Sequence, residues 1–473
     1  MTICALPDLR QLATLILNSV TTLERISCET NTTIPNLDDA ESQSEVFGAT
    51  PEARNAARVI AAAGLQIANL VRPPREVLFD VIHGSQKAAA LRVCLEANAP
   101  EMLREAGPKG LHAHKIAAQA NIDGDKLARL MRYLASHHIY REVAPDVWVN
   151  NRLSAALDTG KAVADLCANP KGKYLNSPAA AFPAMASYVL DSRTKAAAQL
   201  WEALSDPATR FSNRVVDSAL HRSLGIDVSV WVRNEGPGWE HQRQLFAQSM
   251  RGYSDLQPQT AVLSAYPWAE LAPGSVVVDV GGGVGSAMLP LAREHHHLRI
   301  VIQDHENVVV DGLRMWLSQL PEAVQTQRVS FEGHDFFTPH TIRGVSVFFM
   351  RYVLHDWSDE DARKILQNLR TAAEPHTVLI LLDHVLPYTV HDDGHEQQQV
   401  PGKDAPPPLL QTYGAVNTMG YLKDVLMMIN HNGKERKAVE LAGLLRSAGW
   451  ELKHVERVEG TNGFFLPAWA VPV

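Results

Sequence analysis

From residue 273 onward the chain alternates strand-like and helix-like segments with a glycine loop between the first two, a rhythm that few architectures accommodate. SVVVDV reads as a short apolar strand, GGGVG as the glycine loop and SAMLPLAREH as a helix. LRIVIQD follows as a second strand and HENVVVDGLRMWLSQL as a second helix. VSFEGHDFF, VSVFFM and TVLILLDHVL continue as strand segments, with DARKILQNLRTAAE as the helix between the last two. Runs of β-branched and aromatic residues need cover on both faces, and helical crossovers between parallel strands supply it. The pattern predicts an α/β fold: a Rossmann-like, doubly wound domain with a largely parallel sheet. Helices at 418–430 and 436–448 precede a hairpin-like pair, WELKHVERVEG and GFFLPAWAV, at the C-terminal end.

The chain has 473 residues, too many for one core at ~100–200 residues per domain. Helical periodicity runs over 9–28, 51–72 and 75–97, with the polar stretch SCETNTTIPNLDDAESQSE as a linker or surface loop. LHAHKIAAQAN, IDGD and KLARLMRYLASHH then read as helix, turn and helix, and IYREV-APD-VWVNN as a two-stranded wing. This winged helix-turn-helix pattern offers Lys126, Arg129 and Arg132 as DNA contacts, or else serves protein contacts only. The net charge of -8 argues for the second reading, because a phosphate backbone wants a basic face. Residues 155–270 are mostly helical, and Phe182, Met185, Trp231, Trp239, Phe246 and Met250 suit either an apolar cavity or an ordinary core. The segment PYTVHDDGHEQQQVPGKDAPPPLL reads as a surface insertion with little fixed structure. Cys4, Cys28, Cys94 and Cys167 form no CxxC pair and no zinc-finger spacing, so no metal is expected. The first twenty residues read as an amphipathic helix rather than a signal peptide, and no apolar run approaches the ~18–20 residues of a spanning helix. A cytoplasmic protein without a membrane partner is the expectation.

In VVVDVGGGVGS, Asp279 ends the first strand and Gly281, Gly283 and Gly285 follow. Glycines let the backbone turn tightly and approach a ligand without an intervening Cβ. The loop fits G-x-G-x-G rather than the dinucleotide fingerprint G-x-G-x-x-G, because Ser286 stands at the sixth position. Asp304 ends the second strand, where a carboxylate is placed to accept hydrogen bonds from both hydroxyls of a ribose. Asp335 and Phe336, in GHDFF, fall beside the same crevice, an acid and a ring suited to an adenine; Asp335 alone also suits a turn. VSVFFMRYVLHDWSDE then carries an apolar strand into Arg351, His355 and Asp356. Asp356 suits either a catalytic role or the N-terminal turn of the next helix.

VVDVGGGVG, IVIQD, GHDFF, FFMRYVLHDWSDEDARKIL, LLDHVLP and MMINHNGKER, in this order, resemble the plant caffeate-type O-methyltransferases. They resemble still more closely the class I fungal O-methyltransferases of secondary metabolism. The resemblance covers most of the chain and is weakest over 30–50 and 388–410. It implies a winged-helix dimerisation domain at 1–160 and a Rossmann-like methyltransferase domain at 161–473. Within the latter, 161–270 would be a helical acceptor-pocket segment and 388–410 an insertion. It also implies a homodimer, S-adenosylmethionine as cofactor with S-adenosylhomocysteine as product, and a small, phenolic acceptor. Asp279, Gly281, Gly283, Asp304, Asp335, Phe336 and Arg351 would bind the cofactor, with Arg351 where the family commonly has lysine. His355 would be the general base, flanked by Glu435 and by Asp383. The last replaces a family glutamate and is one methylene shorter. Met427 and Met428 would lie on a helix bordering the acceptor pocket.

The chemistry is consistent with these residue types. A phenol of pKa ~10 is a poor nucleophile at neutral pH, and a histidine of ordinary pKa ~6.5 can take its proton and lose it again. A carboxylate on the other ring nitrogen fixes the tautomer. The rival readings are a carboxylate or enol acceptor on the same fold, a nicotinamide-dependent oxidoreductase, and a winged-helix regulator.

Overall fold

The structure is a computed structural model that describes residues 7–40, 45–236, 238–258, 260–389, 405–458, 460–461 and 463–473. It divides into two compact units. The first comprises Met1–Thr194, Glu240–Asp255 and Ala405–Val416; the second comprises Lys195–Trp239, Leu256–Asp404 and Asn417–Val473. Among the described residues, no helix is long and apolar enough to cross a membrane.

In the first unit, the helices Pro7–Thr30 and Pro51–Val71 pack on each other. The second is started by Pro51 and by the Thr50 hydroxyl, which accepts from the Ala53 N–H at 3.0 Å. The periodicity over 75–97 resolves into two helices, Pro74–Ile82 and Gly84–Glu96, because His83 leaves helical geometry. A three-stranded antiparallel sheet follows, from β1 (Leu111–His112), β2 (Arg141–Ala144) and β3 (Val147–Val149), in the order β1-β3-β2. The helices Ala113–Ala120 and Gly124–Ala135 lie between β1 and β2 in the chain. Asp123 caps the second of them by accepting from the Lys126 N–H at 2.8 Å, and Asp146 turns the β2–β3 hairpin at φ 58°. Ile116, Leu127, Met131, Leu134 and Trp148 are buried together. Arg132 is tied to the hairpin through Asp146 and Glu142.

The stretch 387–410 departs in part from the surface segment expected of it. Residues 390–404 lie outside the described residues, but Ala405 and Leu409 are buried with Leu12, Val59, Ala62 and Ala63. Two apolar side chains in a Pro-rich run are enough to anchor it, and composition averages over them.

The second unit is built on one seven-stranded sheet. Its strands are β4 (Val276–Val280), β5 (Arg299–Asp304), β6 (Val329–Gly333), β7 (Val345–Arg351), β8 (Val378–His384), β9 (Trp450–Val455) and β10 (Phe465–Pro472). The order is β6-β5-β4-β7-β8-β10-β9, parallel from β6 to β8, with β10 antiparallel to both its neighbours. Successive residues of β7 serve opposite faces, as a pleat requires. Phe348 packs with Ile365, Leu366, Leu441 and Trp450, whereas Phe349 packs with Trp268, Ile300 and Trp316. The chain runs outward from β4 through β5 to β6, then returns to place β7 on the other side of β4. That reversal opens a crevice at the carboxyl ends of β4 and β7, where ligands bind in open α/β sheets.

Candidate active site

Every residue expected around the cofactor except Asp335 and Phe336 lies on one of the strands β4, β5 and β7 or in the loop after β4. Gly281 and Gly283 adopt φ of +67° and +61°, a region that side chains disfavour. A Cβ on Gly283 would meet open space, so this glycine leaves room rather than filling it. Gly282, which sequence reasoning passed over, is required for a different reason: its Cβ would lie 2.3 Å from Asp279 Oδ2. Asp279 is 1% exposed beneath the loop, and its Oδ2 makes no hydrogen bond among the described residues. Burial pushes its carboxyl up to about 7, against the pull of Arg351.

Asp304, at the tip of β5, accepts from the Gly283 N–H through Oδ2 and from the His305 N–H through Oδ1, both at 2.8 Å. The second strand thus braces the loop of the first. Phe336 stands beside Gly281, 3.5 Å from where a Cβ there would be, with its ring edge-on to Trp357. Asp335 is exposed in a turn beyond β6, its Oδ1 accepting from the Phe337 N–H at 2.9 Å. Arg351 is the last residue of β7, and burial holds its guanidinium below the ordinary range.

Beyond Arg351 the backbone makes an abrupt turn. Tyr352 sits at φ +57°, and its N–H donates to Asp383 Oδ1 at 2.8 Å. This answers the question posed by the shorter acid: Asp383, on β8, holds the Tyr352 turn and makes no hydrogen bond to His355. It acts on the imidazole only through space, as one of the charges that favour its cation. The Tyr352 ring stacks on the His355 ring, with centroids 5.5 Å apart and 22° between planes.

His355 lies in a single turn, Leu354–Asp356, and is 4% exposed. Its Nδ1 is 2.7 Å from Oε1 of Glu435, which is likewise buried. Burial lowers the histidine, opposed by Asp356 and Asp383, and burial raises Glu435, opposed by Lys423. The pair therefore resists becoming more charged. Gly433 explains how two segments so far apart in the chain meet: a Cβ there would lie 2.1 Å from the His355 carbonyl oxygen. Arg436 then clamps the turn. Its guanidinium donates to the Leu354 carbonyl at 2.8 Å, the Trp357 carbonyl at 2.9 Å and Asp359 at 2.9 Å. NGKER is thus one device: glycine for approach, glutamate for the imidazole, arginine for the backbone.

Three further residues of this centre escaped sequence reasoning. Lys423 is buried with its Nζ 4.5 Å from the Tyr352 ring centroid, and Glu435, Asp356 and Asp383 favour its cation against burial. His431, also buried, faces Asp356 and stacks on Trp231. Gln257 approaches the Met419 sulfur at 3.3 Å. For Lys423 and His431 the only sequence signal was polar residues at inward positions of a helix, Met419–His431, which reads equally as an ordinary amphipathic pattern; Gln257 carried none. On the same helix Met427 is buried and Met428 is 37% exposed. Of the aromatic and methionine residues set aside as cavity candidates, Trp231 and Trp239 belong to the second unit and Phe182, Met185, Phe246 and Met250 to the first.

Comparison with known proteins bears on this geometry. Residues 201–451, more than half of the chain, match a family model described as an O-methyltransferase domain. The chain is 40% identical over 462 residues to 4-O-methyltransferase 1 of Phanerochaete chrysosporium, covering 97% of each. It is 32% identical to O-methyltransferase tpcA of Aspergillus fumigatus, covering 85% of this chain and 84% of that one. A similar solved fold is the O-methyltransferase NcsB1 from neocarzinostatin biosynthesis, in complex with S-adenosyl-L-homocysteine and 1,4-dihydroxy-2-naphthoic acid. Its TM-score is 0.58 at 20% identity, over 82% of this chain and 96% of that one. The fold is the Rossmann-like methyltransferase fold with a helical N-terminal region. Because the family match runs through the glycine loop, the parallel strands and the His355–Glu435 pair alike, the chain belongs to the O-methyltransferase family.

Proposed function

We propose that this O-methyltransferase moves a methyl group from S-adenosylmethionine to a hydroxyl of a small aromatic or polyketide-type secondary metabolite, with His355 as general base. The observation that carries the reading is the buried 2.7 Å contact between His355 Nδ1 and Glu435 Oε1. It puts the ring proton on Nδ1 and leaves the Nε2 lone pair for the acceptor.

The residues of the crevice fit the cofactor. Gly283 leaves open space at a positive φ, and Asp279 holds a buried carboxylate oxygen without a hydrogen bond, suited to a cationic amino group. Asp304 would hold ribose hydroxyls, Asp335 and Phe336 the adenine, Gly281 and Gly283 the close backbone approach, and Arg351 the carboxylate end. When bound, the cofactor supplies an electrophilic sulfonium methyl group. The protein's share is to hold acceptor oxygen, methyl carbon and sulfur in line, to exclude water, and to take one proton at His355 Nε2. Glu435 stabilises the imidazolium that results, and Asp383 keeps the Tyr352 turn from which His355 is presented.

The homodimer expected through residues 1–160 finds support in the helix Pro74–Ile82, which has no buried residue and exposes Leu78, Phe79, Val81 and Ile82. A contiguous apolar face of this kind suits a second copy of the chain.

Two measurements test the reading. Calorimetry is expected to show binding of S-adenosylhomocysteine and none of NAD; the reverse result overturns it. Methyl-labelled S-adenosylmethionine is then offered with 1,4-dihydroxy-2-naphthoic acid, catechol, 4-methoxyphenol and benzoic acid. Label is expected on phenolic oxygen, and label on benzoic acid alone would replace the hydroxyl acceptor by a carboxylate.

A further inference from the structure

The methyl transfer leaves Lys423, a buried lysine of the helix Met419–His431, without a part. Packing does not ask for an ammonium there: a methionine fills much the same volume, and a lysine must first be stripped of strongly held water. Contacts lead from Lys423 around a closed ring. Its Nζ stands 4.5 Å from the centroid of the Tyr352 ring, a cation on an aromatic face. Tyr352 stacks on His355, with centroids 5.5 Å apart and 22° between planes. His355 Nδ1 meets Glu435 Oε1 at 2.7 Å. The Glu435 N–H donates to Asp424 Oδ1 at 2.9 Å, and Asp424 is the residue after Lys423. The ring thus fastens cation, base and acid to the same helix turn.

A 2.7 Å approach of Nδ1 to Oε1 suits one proton or two. With one, on Nδ1, the carboxylate accepts and Nε2 keeps its lone pair. A second proton within the contact gives either an imidazolium or a carboxylic acid that donates to Nδ1, and each puts a hydrogen on Nε2. The base is then spent before the acceptor arrives. Burial favours the second proton by raising the Glu435 carboxyl, and Lys423 is the first of the charges that oppose it. Burial also lowers the Lys423 ammonium, and Glu435 is the first of the acids that oppose that. Arg436, a second cation beside the pair, directs its guanidinium to Asp359 and to the Leu354 and Trp357 carbonyls.

We propose that Lys423 is the counter-charge that holds the His355–Glu435 pair to a single proton, a positioning residue that keeps His355 Nε2 bare for the acceptor. This rests on His355 being the base. The role needs no contact with the acceptor. A proton added to the pair would sit near a fixed cation in a poorly screening interior, so the second proton binds more weakly than it otherwise would. The other charged or titratable groups facing the pair are Asp356 and Tyr352 from the turn of His355, Asp383 and His384 from β8, Asp424 from the helix, and Arg436. Arg351 faces Lys423, and His431 faces Asp356. Asp356 and Asp383 favour the imidazolium, and the ammonium of Lys423 offsets them.

The test uses the full chain saturated with S-adenosylhomocysteine, with labelled histidine rings followed by NMR, and needs no acceptor. At neutral pH the unmodified chain is expected to carry a hydrogen on His355 Nδ1 and none on Nε2. In Lys423→Met and Lys423→Gln the midpoint at which Nε2 takes up its hydrogen is expected to rise by about one unit or more. The acid limb of kcat/KM is expected to rise with it, so that rate lost near neutral pH returns as pH is raised. Lys423→Arg keeps the charge and is expected to hold the midpoint within about half a unit of the unmodified chain. A midpoint unmoved in both neutral variants, or moved as far in Lys423→Arg, overturns the proposal; a lysine that merely packs would leave it in place. Unchanged affinity for S-adenosylhomocysteine in calorimetry shows that the variants are folded. The base reading fails separately, if His355→Ala retains wild-type single-turnover transfer to 1,4-dihydroxy-2-naphthoic acid.

Discussion

At the scale of single residues, the centre is a buried histidine whose partner acid is 80 positions away. His355→Ala is expected to lower methyl transfer to a phenol by ~10²-fold or more, with S-adenosylhomocysteine affinity in calorimetry unchanged. Burial disfavours the imidazolium, so the base is neutral over a wider range than an exposed histidine. The acid limb of kcat/KM is therefore expected below the ordinary ~6.5, with rate lost as pH falls through it and regained above it. A pH profile whose acid limb lies above that value would contradict this. Asp279 carries a second pH prediction, of stability. Its folded-state carboxyl lies at about 7 against an ordinary 3.8. Between those values the folded chain holds a proton that the unfolded chain releases, so this group's contribution is present at low pH and lost as pH rises through 7. Asp279→Asn is expected to melt about 2–5 °C above the unmodified protein at pH 8, to lose that advantage at pH 4, and to bind S-adenosylhomocysteine at least ~10-fold more weakly. Equal melting temperatures at pH 8 would show that the buried carboxylate costs nothing.

At the scale of elements, the glycines separate by what a methyl group would meet. Gly285 has φ +75°, and a Cβ there would lie 2.4 Å from the Ile302 side chain and 2.8 Å from the Trp316 ring nitrogen. Gly283 has a similar φ but open space. Denaturant unfolding is expected to show Gly285→Ala destabilised by about 2–4 kcal/mol and Gly283→Ala by only about 1–2 kcal/mol. Calorimetry is expected to show the opposite order for loss of S-adenosylhomocysteine binding. Most of these elements were legible in advance, because β4, β7 and β8 are predominantly apolar runs, VVVDV, VSVFFMR and VLILLDH, between glycine, proline and polar boundaries. The break at His83 was not, since the apolar spacing continues across it. Nor was the anchoring of Ala405 and Leu409, which two residues achieve against the average of their surroundings.

At the scale of the molecule, the proposed dimer can be tested at the exposed side chains of Pro74–Ile82. Phe79, 59% exposed, and Ile82, 72% exposed, are the largest such residues of that helix. Sedimentation of Phe79→Glu/Ile82→Glu is expected to give a monomer where the unmodified chain gives a dimer, with the melting transition preserved. A dimer that persists would place the interface elsewhere. The two units, each assembled from three separate chain segments, also show why one-dimensional boundaries fall short: Glu240–Asp255 and Ala405–Val416 join a unit whose bulk lies far upstream.

By itself the sequence determined the sheet and the glycine loop with the acid of the following strand, while the pairing of His355 with the glutamate of NGKER was implied by the family resemblance. The sheet and the loop depend on local rules: apolar runs set strands, and glycine sets where a backbone can turn or approach. Only the tertiary structure decided that Asp383 serves the Tyr352 turn instead of the imidazole, that Gly282 exists to house Asp279, and that Lys423 and His431 converge on Asp356. Apart from Gly282 and Asp279, which are neighbours in the chain, those are contacts between segments separated by tens of residues; all depend on side chains whose direction is set by packing, and no spacing along the chain encodes which way a buried side chain points.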